Sequence, residues 1–285
     1  MSTRVPVKRT AKLFVGGEFP RSESGRSYEV TASDGRPLGW AARASRKDLR
    51  DAVKVARAAA EGWAGKTAYN RGQILYRVAE LMEGRRVQFE EELADAGAAD
   101  PSRGVSASID RWVWYAGWAD KLAQVLGGAN AVAGPYFNFT IPEPTGVVGI
   151  VAPPDQALLG LVSRLAPAIL SGNTAVVLAS EPHPMPAVSL GEVLATSDVP
   201  GGVVNILTGQ VGELTPWLAG HMDVNGLDLT GVPEDLIGEM GSLAAENVKR
   251  VHRAPEVDPF DEAAQSPYEI AAFLEYKTVW HPMGP

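Results

Sequence analysis

The segment Gly146-Val147-Val148-Gly149-Ile150-Val151-Ala152 is an uninterrupted apolar run, typical of a strand that is buried on both of its faces. It opens a regular alternation in which short apolar strands are separated by helical segments. Strands that alternate with helices form right-handed crossovers, so we expect an α/β fold built on a Rossmann-like parallel sheet. The strands are predicted at residues 147–152, 174–178, 203–207, 225–229 and 248–251, with helices at 156–170, 184–196, 211–219 and 234–245.

Residues 1–126 precede this core and are predicted to be mostly helical. After short extended pieces at 12–44, apolar residues recur every three or four positions in three helices, which run from 45 to 63, from 69 to 96 and from 106 to 126. Ser45 and Asp48 form a weak capping box at the first of them. The basic tail at residues 1–12 lacks the apolar core of a secretory signal and is interpreted as a frayed end.

Two further segments flank the core. Residues 127–146 carry aromatic side chains together with Pro142 and Pro144, which predicts an exposed hairpin or arm, because proline is confined to edges and bends of sheets. Residues 253–267 contain several prolines and acidic residues and are predicted to be a linker. Residues 268–285 end the chain, with a strand expected at 276–280.

The composition excludes several classes of function. The 285 residues are 45% hydrophobic and carry a net charge of -8, which fits a folded protein and argues against a nucleic-acid partner. The sequence has no cysteine and no apolar run long enough to span a membrane. Its four histidines are scattered, so no metal site is expected. A cytoplasmic location is the default expectation.

Several motifs resemble those of the aldehyde dehydrogenase superfamily, in the same order along the chain. Glu143-Pro144-Thr145-Gly146-Val147-Val148-Gly149 resembles that family's EPxGVxG, and Ser171-Gly172-Asn173-Thr174 resembles the end of its PALxxGNT. The stretch Gly201–Gly209 is similar to its PGVVNxxxG, and Thr230-Gly231 falls at its FTGS turn. The resemblance covers residues 12–252. It implies a cofactor domain of the aldehyde dehydrogenase type.

The tail adds a second resemblance. Glu275-Tyr276-Lys277-Thr278-Val279-Trp280 resembles the family's C-terminal strand, which belongs to its oligomerisation sheet. The resemblance implies that residues 127–146 and this strand are the two parts of an oligomerisation domain, and that the linker replaces the catalytic domain. The oligomerisation residues expected from it are Tyr136, Phe137, Phe139, Tyr276, Thr278, Val279 and Trp280.

The positions that carry the family's chemistry are degenerate. The family attacks the aldehyde with a cysteine thiolate, and this chain has no cysteine. The general-base glutamate aligns with Ala254, which cannot exchange a proton. The asparagine that donates to the oxyanion aligns with Asp155, whose carboxylate would repel that charge. We interpret Asp155 instead as a cap for the helix predicted to begin at Gln156.

The family's cofactor positions are only partly retained. Its ribose-binding lysine and glutamate align with Leu178 and Glu181, and its pyrophosphate serine and glycine align with Val232 and Leu236. A vestigial site is therefore expected from Glu181, Gly209, Thr230 and Gly231, with no cofactor or weak NAD(P) binding. Gly209 fits a turn better than a phosphate cradle, and Glu181 fits a solvated loop as well as a ribose contact.

Three functions remain open. The first is a catalytically inactive aldehyde dehydrogenase-like subunit that joins a full-length aldehyde dehydrogenase as a hetero-oligomer, or itself as a homodimer. The second is an oxidoreductase subunit that is active only within a hetero-oligomer. The third is a nucleotide-binding sensor. The affinity for NAD separates the first from the third, and co-purification with an intact relative separates the first from the second.

Overall fold

The computed structural model describes residues 7–284. Residues 1–6 of the basic tail thus lie outside the described residues. The frayed end predicted there is wrong for Arg9–Ala11, which pairs in parallel with a strand at Pro37–Ala42. The strands in the described residues are β1 Arg9–Ala11, β2 Ser27–Thr31, β3 Pro37–Ala42, β4 Gly128–Asn130, β5 Tyr136–Pro144, β6 Val147–Val151, β7 Thr174–Leu178, β8 Val204–Leu207, β9 Gly226–Asp228, β10 Arg250–His252 and β11 Leu274–Pro282.

Helices pack around these strands, and the four helices predicted between the strands of the core are all present. They are α1 Arg46–Ala64, α2 Ala68–Glu83, α3 Arg86–Asp95, α4 Pro101–Ala116, α5 Leu122–Val125, α6 Leu159–Leu170, α7 Met185–Thr196, α8 Val211–Ala219, α9 Glu234–Ala245 and α10 Pro267–Ala271. Short 3-10 turns lie at Ala119–Lys121 and Glu262–Ala264.

The core is a parallel five-stranded sheet in the order β10-β9-β6-β7-β8. Every residue of β6 and β7 is buried, as the apolar runs predicted. Successive side chains of these strands face opposite layers: Val148 and Ile150 pack with α2, α4, α6 and α7, whereas Val147 packs with α1, α8 and α9. The expected Rossmann-like α/β fold is confirmed.

The N-terminal helices differ from the predicted ones in their ends. The capping box at α1 is present, with the Ser45 hydroxyl accepting from the Asp48 amide at 3.3 Å and the Asp48 carboxylate accepting from the Ser45 amide at 2.7 Å. The single helix expected at 69–96 is two helices, because α2 stops at Gly84 and the chain turns before α3. The helix expected to reach residue 126 stops at Gly117.

The small sheet consists of β4, β5 and β11 in the order β11-β5-β4. β5 is its central strand, and β4 and β5 form an antiparallel hairpin within the segment predicted as a hairpin or arm. The prolines are tolerated because β4 pairs only with Asn138–Thr140 and has ended before it reaches them. On its other side β5 pairs with all nine residues of β11.

Residues 253–267 do not form an extended linker; they fold onto α4. The buried guanidinium of Arg111 donates to the carbonyls of Pro259 and Ala264, both at 2.9 Å. The guanidinium of Arg103 lies 4.1 Å from the centre of the Phe260 ring. The segment also lines a cavity together with Pro153, which follows β6, and Thr230, which follows β9.

Candidate functional site

A cleft of about 460 Å³ opens at the carboxyl ends of β6, β7 and β9. The strand order reverses between β6 and β9, and ligands of such sheets bind at this point. The loop after β7 supplies Glu181 to its wall, the start of α8 supplies Val211, and the turn after β9 supplies Gly231. Tyr28 of β2 closes one side. The cleft is therefore the place where a dinucleotide would lie.

Glu181 is half-buried in this cleft and already has a partner. One of its carboxylate oxygens accepts from the backbone amide of Val211 at 2.8 Å, at the amino end of α8. The hydroxyl of Tyr28 donates to the Glu181 carbonyl at 3.4 Å. Burial and the nearby Glu181 charge raise the pKa of Tyr28 well above its usual value, so the hydroxyl stays neutral. A ligand hydroxyl would have to share Glu181 with this amide.

Two glycines lie at tight turns around the cleft. A Cβ on Gly231 would meet the carbonyl oxygen of Ala152 at 2.2 Å, so only glycine allows this turn to close on the end of β6. Gly209 has φ +149, and a Cβ there would meet the amide of Ala44 at 3.1 Å. Gly231 lines the cleft, whereas Gly209 follows β8 and serves the turn into α8.

The aligned positions that depart from the family lie in the core. Leu178 is 1% exposed at the end of β7, and Val232 is 4% exposed. Leu236 on α9 is half-buried and packs against the same cluster. None of the three is among the residues that line the cleft. They stabilise the fold and offer no polar group to a ligand.

Thr230 and Ala254 lie together in a second, smaller cavity of about 160 Å³. The Thr230 hydroxyl accepts from the Ala254 amide at 3.0 Å, and the Thr230 amide donates to Asp228 at 3.0 Å. Gln156 lines the same cavity. The resemblance aligns the family's general base with Ala254, whose methyl group offers no proton-exchanging atom to this cavity.

Asp155 is exposed in the loop before α6. The capping role assigned to it is wrong, because α6 begins at Leu159 and its preceding residue, Leu158, provides no side-chain cap. The loop instead forms a turn over residues 157–158, so the carboxylate of Asp155 reaches no backbone amide of the helix.

A buried ionic cluster beside the second cavity was not predicted. Arg164 of α6, 5% exposed, ion-pairs with Glu269 of α10 and lies 3.6 Å from the carboxylate of Asp228. His252 contacts Glu269 at 2.8 Å. The signal for it is visible in α6, where Arg164 interrupts a helix that is otherwise apolar and small.

Electrostatics in this cluster favour the ionised pair. Burial alone would raise the pKa of Glu269, but the hydrogen bond with His252 and the charge of Arg164 outweigh it and lower the pKa to about 2. For Arg164, the charges of Asp228 and Glu269 likewise overcome burial and raise the pKa. The cluster thus ties the C-terminal segment to the core.

The expected oligomerisation residues lie on both faces of the small sheet. Alternation along the strands places Tyr136, Tyr276, Thr278 and Trp280 on one face, and Phe137, Phe139 and Val279 on the other. The rings of Tyr136 and Trp280 lie 5.7 Å apart, and those of Phe137 and Phe139 lie 5.3 Å apart. Trp280 is 58% exposed and Phe137 is 48% exposed, so apolar surface is presented on both sides.

The parallel sheet, its switch-point cleft and the glycine turn at Gly231 define a dinucleotide-binding type of domain. A sequence model of the aldehyde dehydrogenase family matches residues 19–254. The chain belongs to the aldehyde dehydrogenase family.

Known relatives agree with this assignment. The chain is 36% identical to cytosolic 10-formyltetrahydrofolate dehydrogenase of Mus musculus over 87% of its own length and 28% of that protein. It is 32% identical to aldehyde dehydrogenase, cytosolic 1 of Elephantulus edwardii over 87% of its length and 50% of that protein. The chain thus spans half or less of the length of these relatives.

Solved structures show the same partial coverage. Aldehyde dehydrogenase from Bacillus cereus, in its NAD+ complex, superposes with a TM-score of 0.79 at 25% identity, covering 86% of this chain and 51% of that one. The NAD-dependent aldehyde dehydrogenase from Sinorhizobium meliloti superposes with a TM-score of 0.76 at 25% identity. The match covers 86% of this chain and 50% of that one.

Two further observations concern residues 7–284. No group of acidic or histidine side chains in this range is arranged to hold a metal ion. None of the helices formed by these residues combines the length and the apolar character needed to cross a membrane.

Proposed function

We propose that this chain is a catalytically inactive aldehyde dehydrogenase-like protein that assembles with an intact aldehyde dehydrogenase as a structural or regulatory subunit. The observation that carries the proposal is the absence of cysteine from all 285 residues. The family's reaction, as the resemblance implies it, needs a thiolate to attack the aldehyde carbon. Without that nucleophile the covalent intermediate cannot form on this chain.

The surroundings of Ala254 support the proposal. A methyl group stands where a carboxylate would be needed to activate water, and the amide of Ala254 is already bonded to Thr230. The second cavity is only about 160 Å³, and Pro255, Val257 and Pro259 from the segment 253–267 form part of its wall. Asp155, in the oxyanion position, brings a negative charge.

The small sheet supports an assembly role. Exposed aromatic and aliphatic side chains on two opposite faces are unusual for a sheet that stays alone in water. A three-stranded sheet of this kind gains stability when another protein covers it. An intact aldehyde dehydrogenase is the partner we favour, because residues 253–267 stand where the resemblance places the family's catalytic domain. A second copy of the chain is the alternative.

A nucleotide-binding sensor is the second candidate, and the open cleft of about 460 Å³ favours it. Gly231 keeps the turn at the end of β6 free of side chains. Against it, Glu181 is engaged by Val211, and Leu178 and Val232 are buried apolar residues. An oxidoreductase subunit active only within a hetero-oligomer would need its partner to supply both the thiolate and the base.

Turnover of the purified chain tests the proposal. With NAD or NADP and a panel of short aliphatic and aromatic aldehydes, we expect no formation of reduced cofactor above the buffer rate. An intact aldehyde dehydrogenase, assayed alongside, is the positive control. Aldehyde-dependent reduction by a preparation shown to contain no other dehydrogenase would overturn the proposal.

A further inference from the structure

The strand β11 is an unpaired edge of the small sheet. The order β11-β5-β4 leaves one side of its nine residues without a neighbouring strand in the described part of the chain. The edge strands of the five-stranded sheet, β8 and β10, have four and three residues. A long exposed edge is a template on which another strand can pair.

The hydrogen bonds at the two ends of the β5–β11 pairing show which main-chain groups of β11 point away from β5. The Met283 amide donates to Pro135 at 2.8 Å, and the Thr145 amide donates to Phe273 at 3.3 Å. In an antiparallel ladder such bonded positions recur at every second residue. Odd-numbered residues of β11 therefore bond to β5, and the amides and carbonyls of Tyr276, Thr278 and Trp280 point to the open edge.

We propose that this edge pairs, antiparallel, with β11 of a second copy of the chain, with the two-fold axis at Thr278. This proposal rests on the proposed role of the small sheet in assembly. It concerns the open edge of β11 and not the two faces of the small sheet. Thr278 then lies opposite Thr278 of the second copy, and Tyr276 lies opposite Trp280. All amides and carbonyls of these three residues find partners, which joins the two small sheets into one six-stranded sheet.

The strand is complementary to itself in this register. Glu275 lies opposite His281, a carboxylate beside an imidazole, at both ends of the ladder. Pro282, which has no amide to donate, lies opposite the buried Leu274 and ends the ladder. Registers centred on Tyr276 or Trp280 leave four residues of each strand unpaired. A same-surface contact of this kind closes as a symmetric dimer.

The charge that would oppose pairing is already neutralised. Edge strands commonly carry lysine to prevent association. The lysine of β11, Lys277, ion-pairs with Glu143 on β5 within the same chain, and in the dimer it lies beside Val279 of the second copy. It therefore brings no like charge to the contact.

Cross-linking through a single thiol tests the proposal directly, because the natural chain has no cysteine. Thr278→Cys puts the two sulfurs on residues that face each other across the axis, at a Cα separation of about 5.5 Å, which a disulfide can span. Tyr276→Cys is the matched control, because its two copies would lie four residues apart, about 13 Å. Under mild oxidation we expect Thr278→Cys to form covalent dimer at least tenfold faster than Tyr276→Cys.

Proline variants give a second readout. Thr278→Pro removes an amide that points outward and leaves the main-chain bonds to β5 intact, although the hydroxyl contact with Thr140 is lost. Light scattering should therefore show monomer where the wild type shows dimer. Thr278→Val keeps the amide and should stay dimeric. A monomeric wild type at tens of micromolar, or equal cross-linking of the two thiol variants, overturns the proposal. A cross-linked dimer that brings no intact aldehyde dehydrogenase from the cell contradicts the proposed partner and leaves this inference standing.

Discussion

The five-stranded sheet and the small sheet place apolar side chains in opposite environments. In the first, every residue of β6, β7 and β8 is buried between two helical layers. In the second, seven consecutive residues of β11, from Tyr276 to Pro282, are exposed. Both sheets belong to one chain, and both use aromatic or β-branched residues. The difference fits a core that needs no partner and, as proposed, a small sheet that another protein covers.

The two sheets also differ in the polar groups that remain available around them. Around the core sheet, the positions to which the resemblance assigns cofactor contacts and proton transfer carry Leu178, Val232 and Ala254. Leu178 and Val232 are buried, and none of the three side chains has a polar group. Around the small sheet, main-chain groups and aromatic rings that serve no internal contact remain available. A protein that keeps its fold and its contact surface, and not its reactive groups, fits a role in assembly.

The largest expected loss of stability comes from breaking the buried ion pair that joins the core to the C-terminal segment. Glu269 on α10 ion-pairs with Arg164 in the core, where both side chains are less than a tenth exposed. Glu269→Ala leaves the Arg164 charge buried with only part of its compensation and should lower the free energy of unfolding by about 3 kcal/mol or more. Chemical denaturation followed by circular dichroism measures it.

Glu275→Ala is the matched control. Its carboxylate also binds an arginine, Arg250, at 2.8 and 3.0 Å, but both partners are well exposed. We expect a loss below about 1 kcal/mol. Equal losses for the two variants would show that the buried cluster does not hold the C-terminal segment to the core.

Measuring the free energy of unfolding of the same variants at acidic pH is a second test of the buried ion pair. The pKa of Glu269 is lowered from 4.5 to about 2, so the folded state binds fewer protons than the unfolded state in this range. The stability that Glu269 contributes is therefore complete above about pH 4.5 and is lost as the pH falls towards 2. Glu269→Ala should flatten this part of the profile, and Glu275→Ala should largely preserve it.

A smaller effect is expected at the cleft. Two lost polar contacts at about 1.5 kcal/mol each weaken cofactor binding by roughly a hundredfold. Leu178 and Val232, both buried, stand at those positions. Calorimetry should give an NAD dissociation constant in the millimolar range, or no binding.

Glu181→Gln identifies where any residual binding occurs. Its carboxylate lines the cleft, so a signal that arises there should weaken further, whereas binding elsewhere should not change. A low-micromolar constant for the wild type, lost in Glu181→Gln, would favour the sensor function over the proposed one.

The alternation of strands and helices was sufficient to predict the core from sequence. The apolar run after Gly146 became β6, and the predicted strand at 174–178 matches β7 to the residue. Long buried runs have few alternative structures, because only a sheet covered on both faces satisfies them.

The predictions from local sequence features failed in three places. Whether Asp155 caps a helix depends on the turn at 157–158, which delays α6 until Leu159. The faces of the small sheet depend on the register between β5 and β11, which are far apart in the sequence. The partners of Arg164 come from β9 and α10, and no short-range pattern joins these three segments.

The mass of the complex isolated under native conditions from the cell that makes this protein tests the central claim most directly. A tag placed at the amino terminus avoids both β5 and β11. The assembly role predicts a complex that contains a full-length aldehyde dehydrogenase together with this chain, and that breaks down when the exposed aromatic residues Phe137 and Trp280 are replaced by serine. A mass equal to that of one chain, at concentrations in the micromolar range, would contradict it.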